Sequence, residues 1–233
     1  MQSRRILGQR AILQGDLVDM RDYFEEQLEE LHVRLTEMGS LCVKAIEETY
    51  EALNSRDRAA AEKIMGRNGV IKQREREIEN LCMKLLLLQQ PVATDLRVVS
   101  AAMKMSTDME RIGNQAAEIA EILLTGDVEI PEGKVHIQDM AQATIDMVNR
   151  SMDSFVKQDQ KLAEEVIRYD DIVDNLFLTV RKDLSAGIGS EEKLMDLLMI
   201  AKYYERIGDH AVNIAEWVIY SFTGEHPTED VEK

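Results

Sequence analysis

The chain is poor in the residues that interrupt or staple a fold. Over 233 residues there are three prolines, twelve glycines, two cysteines and 5% aromatic side chains. Cys42 and Cys82 form neither a secreted disulfide framework nor a zinc-binding CxxC pair, and both are expected as reduced core residues. The longest apolar runs, Leu85–Leu88 and Leu197–Ala201, fall far short of the ~20 residues a membrane-spanning helix needs. Positive charge is also scarce: 28 Lys and Arg against 44 Asp and Glu leave a formal charge of −16. Without a basic stripe, binding to a nucleic-acid backbone or directly to an anionic membrane is disfavoured. No GxxxxGK[ST], GxGxxG, HExxH or GxSxG sequence occurs, so no common nucleotide, zinc-protease or serine-hydrolase site is indicated. Ser3-Arg4-Arg5-Ile6-Leu7 faintly resembles a twin-arginine export signal, but Gln9, Arg10, Gln14, Gly15 and Asp16 break the apolar stretch that must follow.

What remains is rich in Ala, Leu, Met, Glu, Lys and Arg, all strong helix formers. Apolar residues recur at helical spacing. Leu28, Leu31, Leu35, Met38, Leu41, Cys42 and Ala45 trace one face, and Val166, Val173, Phe177, Val180 and Leu184 another. Thirteen methionines read as pliable core filler. The breakers sit at joints: Pro91, Ile130–Gly133, Gly187–Ser190 and Gly224–Pro227. Six long helices are expected, over 22–54, 57–89, 92–124, 134–157, 159–186 and 191–222, with sequential neighbours antiparallel.

Self-comparison reveals a duplication. Residues 109–123, MERIGNQAAEIAEIL, align with 204–218, YERIGDHAVNIAEWV, at an offset of 95, with eight of fifteen positions identical. Further upstream the offset is 102, pairing Met38 with Met140, Asp57 with Asp159, Ala61 with Ala163 and Ile71 with Val173. The predicted architecture is all-α, two tandem three-helix bundles over 20–126 and 127–226, with a polar tail at 227–233.

Chemistry concentrates in the second half. Asp170 and Asp174 are one helical turn apart on one helix, Glu205 and Asp209 on the next. In a hairpin folded within Gly187–Ser190 all four carboxylates lie at one height, ~26 Å from the turn at 1.5 Å per residue. Such a set, without thiolates, suits hard or borderline cations such as magnesium, manganese, calcium or iron. The plainer alternative makes them solvated acids paired with Arg168, Lys202 or Arg206. His210 is a candidate accessory ligand. In the first half the equivalent positions hold Asn68, Lys72, Glu110 and Asn114, so only Glu110 keeps a carboxylate.

The twin MERIGN/YERIGD blocks, the segment Gln89-Gln90-Pro91-Val92-Ala93-Thr94-Asp95-Leu96-Arg97, the opening Phe24–Leu31 and Met38-Gly39 together resemble the PhoU family of bacterial phosphate-uptake regulators, over about 20–222. The resemblance implies a cytoplasmic homodimer or higher homo-oligomer that signals rather than catalyses. It implies negative regulation of the phosphate-starvation response, linking the ATPase subunit of a phosphate ABC transporter to a phosphate sensor histidine kinase, with membrane association only through those partners. It also implies metal binding, by iron, manganese, magnesium or zinc, through paired [E/D]xxxD motifs. Asp170, Asp174, Glu205 and Asp209 match that pattern; Glu110 alone does so in the first bundle. Residues 1–19 lie outside the resemblance and are expected to be a disordered extension or a misassigned start. A ferritin-like di-iron enzyme would need Glu-x-x-His on two helices, and only Glu29–His32 has it. A helical adaptor without metal is the remaining alternative.

Overall fold

The computed structural model describes residues 2–55, 57–88, 93–126, 128, 136–185 and 191–227, with side chains from residue 21 onward except at 88, 191 and 192. Six helices follow in order: α1 (Gln2–Ser55), α2 (Arg58–Leu88), α3 (Ala93–Thr125), α4 (Ile137–Lys157), α5 (Gln160–Ser185) and α6 (Glu191–Thr223). The joints read at Pro91, Ile130–Gly133 and Gly187–Ser190 lie outside the described residues. Five helices start and stop within three residues of the expected bounds. The exception is α1, which opens at Gln2 rather than residue 22. The stretch between lacks proline, and extending an existing helix costs far less than nucleating one.

The duplication is visible in how the helices begin. Asp57 Oδ1 accepts the Ala59 amide at 2.9 Å, and Asp159 Oδ1 accepts those of Lys161 and Leu162 at 3.0 and 3.2 Å. Each aspartate thus satisfies amides that the first helical turn leaves without an intrahelical acceptor.

In α2, Ile64, Ile71, Ile78 and Leu85 are fully buried at seven-residue spacing, a seam typical of helices packed nearly parallel or antiparallel. Of the face read in α1, Leu31, Leu35, Met38, Cys42 and Ala45 are buried, while Leu28 and Leu41 are partly so. The α5 series is buried at Val166, Val173, Val180 and Leu184 and partly buried at Phe177. Both cysteines are buried free thiols, with burial pushing each above the ordinary thiol range. The Cys42 thiol donates to the Met109 carbonyl, 3.2 Å away.

α1, α2 and α3 pack mutually, as do α4, α5 and α6; α3 also packs on α6, and α1 on α4. The α3–α6 seam is antiparallel. Along it Arg97 lies against Gly224, Lys104 over the Trp217 ring at 5.9 Å, Asp108 3.1 Å from Asn213, and Glu118 3.3 Å from the Tyr203 hydroxyl. Exchanging partners by the 95-residue offset turns Asp108–Asn213 into Tyr203–Glu118, so the bundles are related by an approximate two-fold axis passing at the level of Gly113 and Gly208. The core is continuous across the seam. Among the described residues no helix is long and apolar enough to cross a membrane.

Candidate metal centre

The two repeated glycines sit where α2 side chains pack on α3 and α5 side chains on α6. A Cβ on Gly208 would stand 3.4 Å from both Asp170 Oδ1 and Val173 Cγ1 on α5. One on Gly113 would stand 2.9 Å from Ile71 Cδ1 and 3.1 Å from Asn68 Oδ1 on α2. The missing side chain at 208 leaves Asp170 room against the α6 backbone. With Gly208 opposite Asp170, and the Lys202 ammonium 5.3 Å from the centre of the Phe177 ring, the α5–α6 register is the one predicted from the sequence.

Asp170 is half-buried and Asp174 and Asp209 are exposed; the Glu205 side chain keeps 13% of its surface exposed. Burial, followed by the negative charges of Asp174, Asp209, Glu205 and Asp171, pushes the Asp170 carboxyl from 3.8 up to about 6. Asp209 is raised too, by burial and then by Glu205 and Asp174, with Lys202 and His210 opposing. The acids of the two helices therefore sense one another across the α5–α6 gap. Glu205 is held by Lys202, whose Nζ lies 2.5 Å from both carboxylate oxygens and donates to Oε1.

Of the three cations offered as plain salt-bridge partners, only Lys202 takes one of the four acids. Arg168 turns to Glu164 at 3.9 Å, and the Arg206 guanidinium lies 6.0 Å from the centre of the Tyr203 ring. His210 spends Nδ1 on Asp108 across the α3–α6 seam, at 3.0 Å. Among the described residues, no three His, Cys, Asp or Glu side chains are gathered into a group ready to hold an ion as they stand. The donor set nonetheless fits a hard cation. It offers only carboxylate oxygens, and the neighbouring acids raise the proton affinity of Asp170 and Asp209.

The first bundle repeats the geometry with different chemistry. Asn68 Nδ2 donates to Asn114 Oδ1 at 3.1 Å, and Asn114 Nδ2 to Glu110 Oε1 at 2.9 Å. Two amides thus bridge α2 to α3 and reach Glu110, Asn68 Oδ1 stays without a partner, and Lys72 is exposed. Sequence reasoning missed Glu75, at the position equivalent to Phe177. It is raised by burial, then by Glu79 and Glu110.

Asp170 makes the metal-free protein sensitive to pH. A carboxyl whose value rises on folding binds its proton more tightly folded than unfolded, so stability falls as pH climbs from about 4 to about 6 and levels off above. In chelated protein Asp170→Asn should flatten that fall in melting temperature. Equal slopes in variant and wild type would contradict this account of the site.

A family model described as the PhoU domain matches residues 35–123 and 137–218. The chain is 38% identical over 212 residues to the phosphate-specific transport system accessory protein PhoU homolog of Clostridium acetobutylicum, covering 88% of this chain and 96% of that one. Its identity to the homolog of the same description from Pseudomonas aeruginosa is 33% over 207 residues, covering 86% of each. Two solved structures are similar. The crystal structure of PhoU from Pseudomonas aeruginosa has a TM-score of 0.82 at 32% identity, covering 87% of this chain and all of that one. The crystal structure of the phosphate transport system regulatory protein PhoU from Streptococcus pneumoniae has 0.81 at 27% identity, covering 87% and 98%.

Proposed function

The chain belongs to the PhoU family, and from that premise we propose that it is a cytoplasmic regulator of phosphate uptake that restrains the phosphate-starvation response when phosphate is plentiful. The family is non-enzymatic, and its members carry the names of accessory and regulatory proteins of the phosphate transport system. The observation that carries the proposal is the match of both halves of the chain to the PhoU domain. In this reading the bundles, over 20–126 and 127–226, offer long helical faces to two partners: the ATPase subunit of a phosphate ABC transporter and a phosphate sensor histidine kinase. A surface carrying a formal charge of −16 suits partners with basic patches, where charge complementarity speeds encounter and fixes register. The protein acts as a homodimer or higher homo-oligomer and reaches the membrane only through its partners.

Asp170, Asp174, Glu205 and Asp209 would hold the metal, with iron, manganese, magnesium and zinc as the candidates; Glu110 is too isolated to make a second such site. The bound ion would supply positive charge that neutralises the four acids. The chain's own contribution is to bring two acids from α5 and two from α6 to one level, with Gly208 admitting Asp170 against α6. Joining these helices would stiffen one face of the second bundle.

Restoring the chain to a strain from which its gene is deleted should lower the output of a starvation-inducible reporter in phosphate-rich medium. The purified chain should bind transporter or kinase. Unchanged reporter output together with no binding to either partner would reject the proposal.

A further inference from the structure

Lys202 occupies the position from which a cation would be held. Its ammonium lies 2.5 Å from both oxygens of Glu205, whose side chain keeps only 13% of its surface exposed, and its charge opposes the rise in Asp209's proton affinity. Its side chain is 36% exposed, so it is free to swing. Behind it stands the Phe177 ring, 5.3 Å from Nζ, a face that attracts an ammonium. The first bundle has none of this: the 95-residue offset puts Thr107 where Lys202 stands, and the 102-residue offset puts Glu75 where Phe177 stands. The lysine and its ring accompany the half that keeps four acids and are absent from the half that lost three.

We propose that Lys202 is a tethered competitor for the metal, an internal monocation that neutralises Glu205 until an ion of higher charge displaces it toward Phe177. This rests on the reading of Asp170, Asp174, Glu205 and Asp209 as the metal site. An ion must break the Lys202–Glu205 pair before Glu205 can bind it, so the lysine raises the metal concentration needed for occupancy. The ring gives the displaced ammonium a partly desolvated resting place, which keeps it close and the exchange reversible. Monovalent ions gain too little from the four carboxylates to displace a covalently tethered charge, whereas divalent ions interact twice as strongly with each.

The test is titration of the full chain with Mn²⁺, alone and without competing metal, using wild type, Lys202→Met and Lys202→Arg. Met keeps most of the apolar stem, and position 202 lies outside the buried core. Lys202→Met should bind Mn²⁺ about fivefold to tenfold more tightly than wild type, the range expected for removing a partly buried competing charge. Lys202→Arg should stay near wild type. Metal-free Lys202→Met should melt below metal-free wild type, because Glu205 loses its counter-charge, and should gain more in melting temperature on Mn²⁺ addition. Equal or weaker Mn²⁺ binding by Lys202→Met, beside a wild type that binds, would overturn the competitor role and leave the site standing. If wild type and Lys202→Met both fail to bind Mn²⁺, the carboxylate site falls and the competitor with it.

Discussion

Replacing Tyr204 with alanine should destabilise both bundles at once, by about 3–5 kcal/mol, the cost of removing a large buried aromatic side chain. Among the described residues Tyr204 leads the fully buried side chains in size, and its hydroxyl lies 2.9 Å from Thr49 Oγ1 on α1. Thr49, itself fully buried, donates to the Ile46 carbonyl at 2.6 Å. A residue of the second repeat thus completes the hydrogen bonding of a residue of the first, inside a core continuous between them. A loss of that size is a large fraction of the about 5–15 kcal/mol that holds an ordinary domain folded. Two probes report on the halves separately. Hydrogen exchange of the α5 amides follows the second bundle, and that of the α1 amides follows the first. Both should move together in Tyr204→Ala. In Tyr204→Phe the shift should shrink to about 0.5–1.5 kcal/mol, since only a hydrogen bond is lost. Faster α5 exchange with α1 exchange unchanged would show that the bundles unfold independently.

The second large effect is a gain of metal. Converting Asn68, Lys72 and Asn114 to aspartate would give the first bundle the acid set of the second, with Glu110 as the fourth member. Gly113 already lets α2 approach α3 at this level, as Gly208 does for α5 and α6. The triple variant should therefore carry about twice the metal of wild type, following the ligand rules for hard cations. Metal-free, it should be less stable than wild type, because the Asn68–Asn114–Glu110 hydrogen bonds give way to mutually repelling carboxylates. Added metal should restore it. Wild-type metal content in a folded triple variant would mean that four acids at this level do not make a site.

Much of this arrangement was legible because helix packing writes itself into spacing. The seven-residue series Ile64, Ile71, Ile78 and Leu85 predicts a buried seam without reference to any neighbour, and the α5–α6 register followed from where the turn had to fall. The repeat announced two similar units. It did not announce how they face each other, because the polar contacts that flank the α3–α6 seam come from Lys104, Asp108, Glu118, Tyr203, Asn213 and Trp217, residues whose types are equally at home on a solvated face. The start of α1 was missed for a related reason: residues 2–19 show no clean apolar stripe, yet nothing in them stops a helix already formed.

At the acidic site the sequence placed Asp170, Asp174, Glu205 and Asp209 on facing helices but left open which cation would answer them. Arg168, Lys202 and Arg206 all stood within reach by spacing, and only the packing of Phe177 under Lys202 and of Tyr203 beside Arg206 separated them. His210, next in sequence to Asp209, faces Asp108 instead, because adjacent helical residues project about 100° apart.

On the proposed reading the second bundle's four carboxylates hold a metal ion. Elemental analysis of purified wild type beside Asp170→Ala and Glu205→Ala tests it most directly. Metal should copurify with wild type and fall sharply in both variants, each still helical by circular dichroism. Equal metal content in all three proteins would contradict the claim.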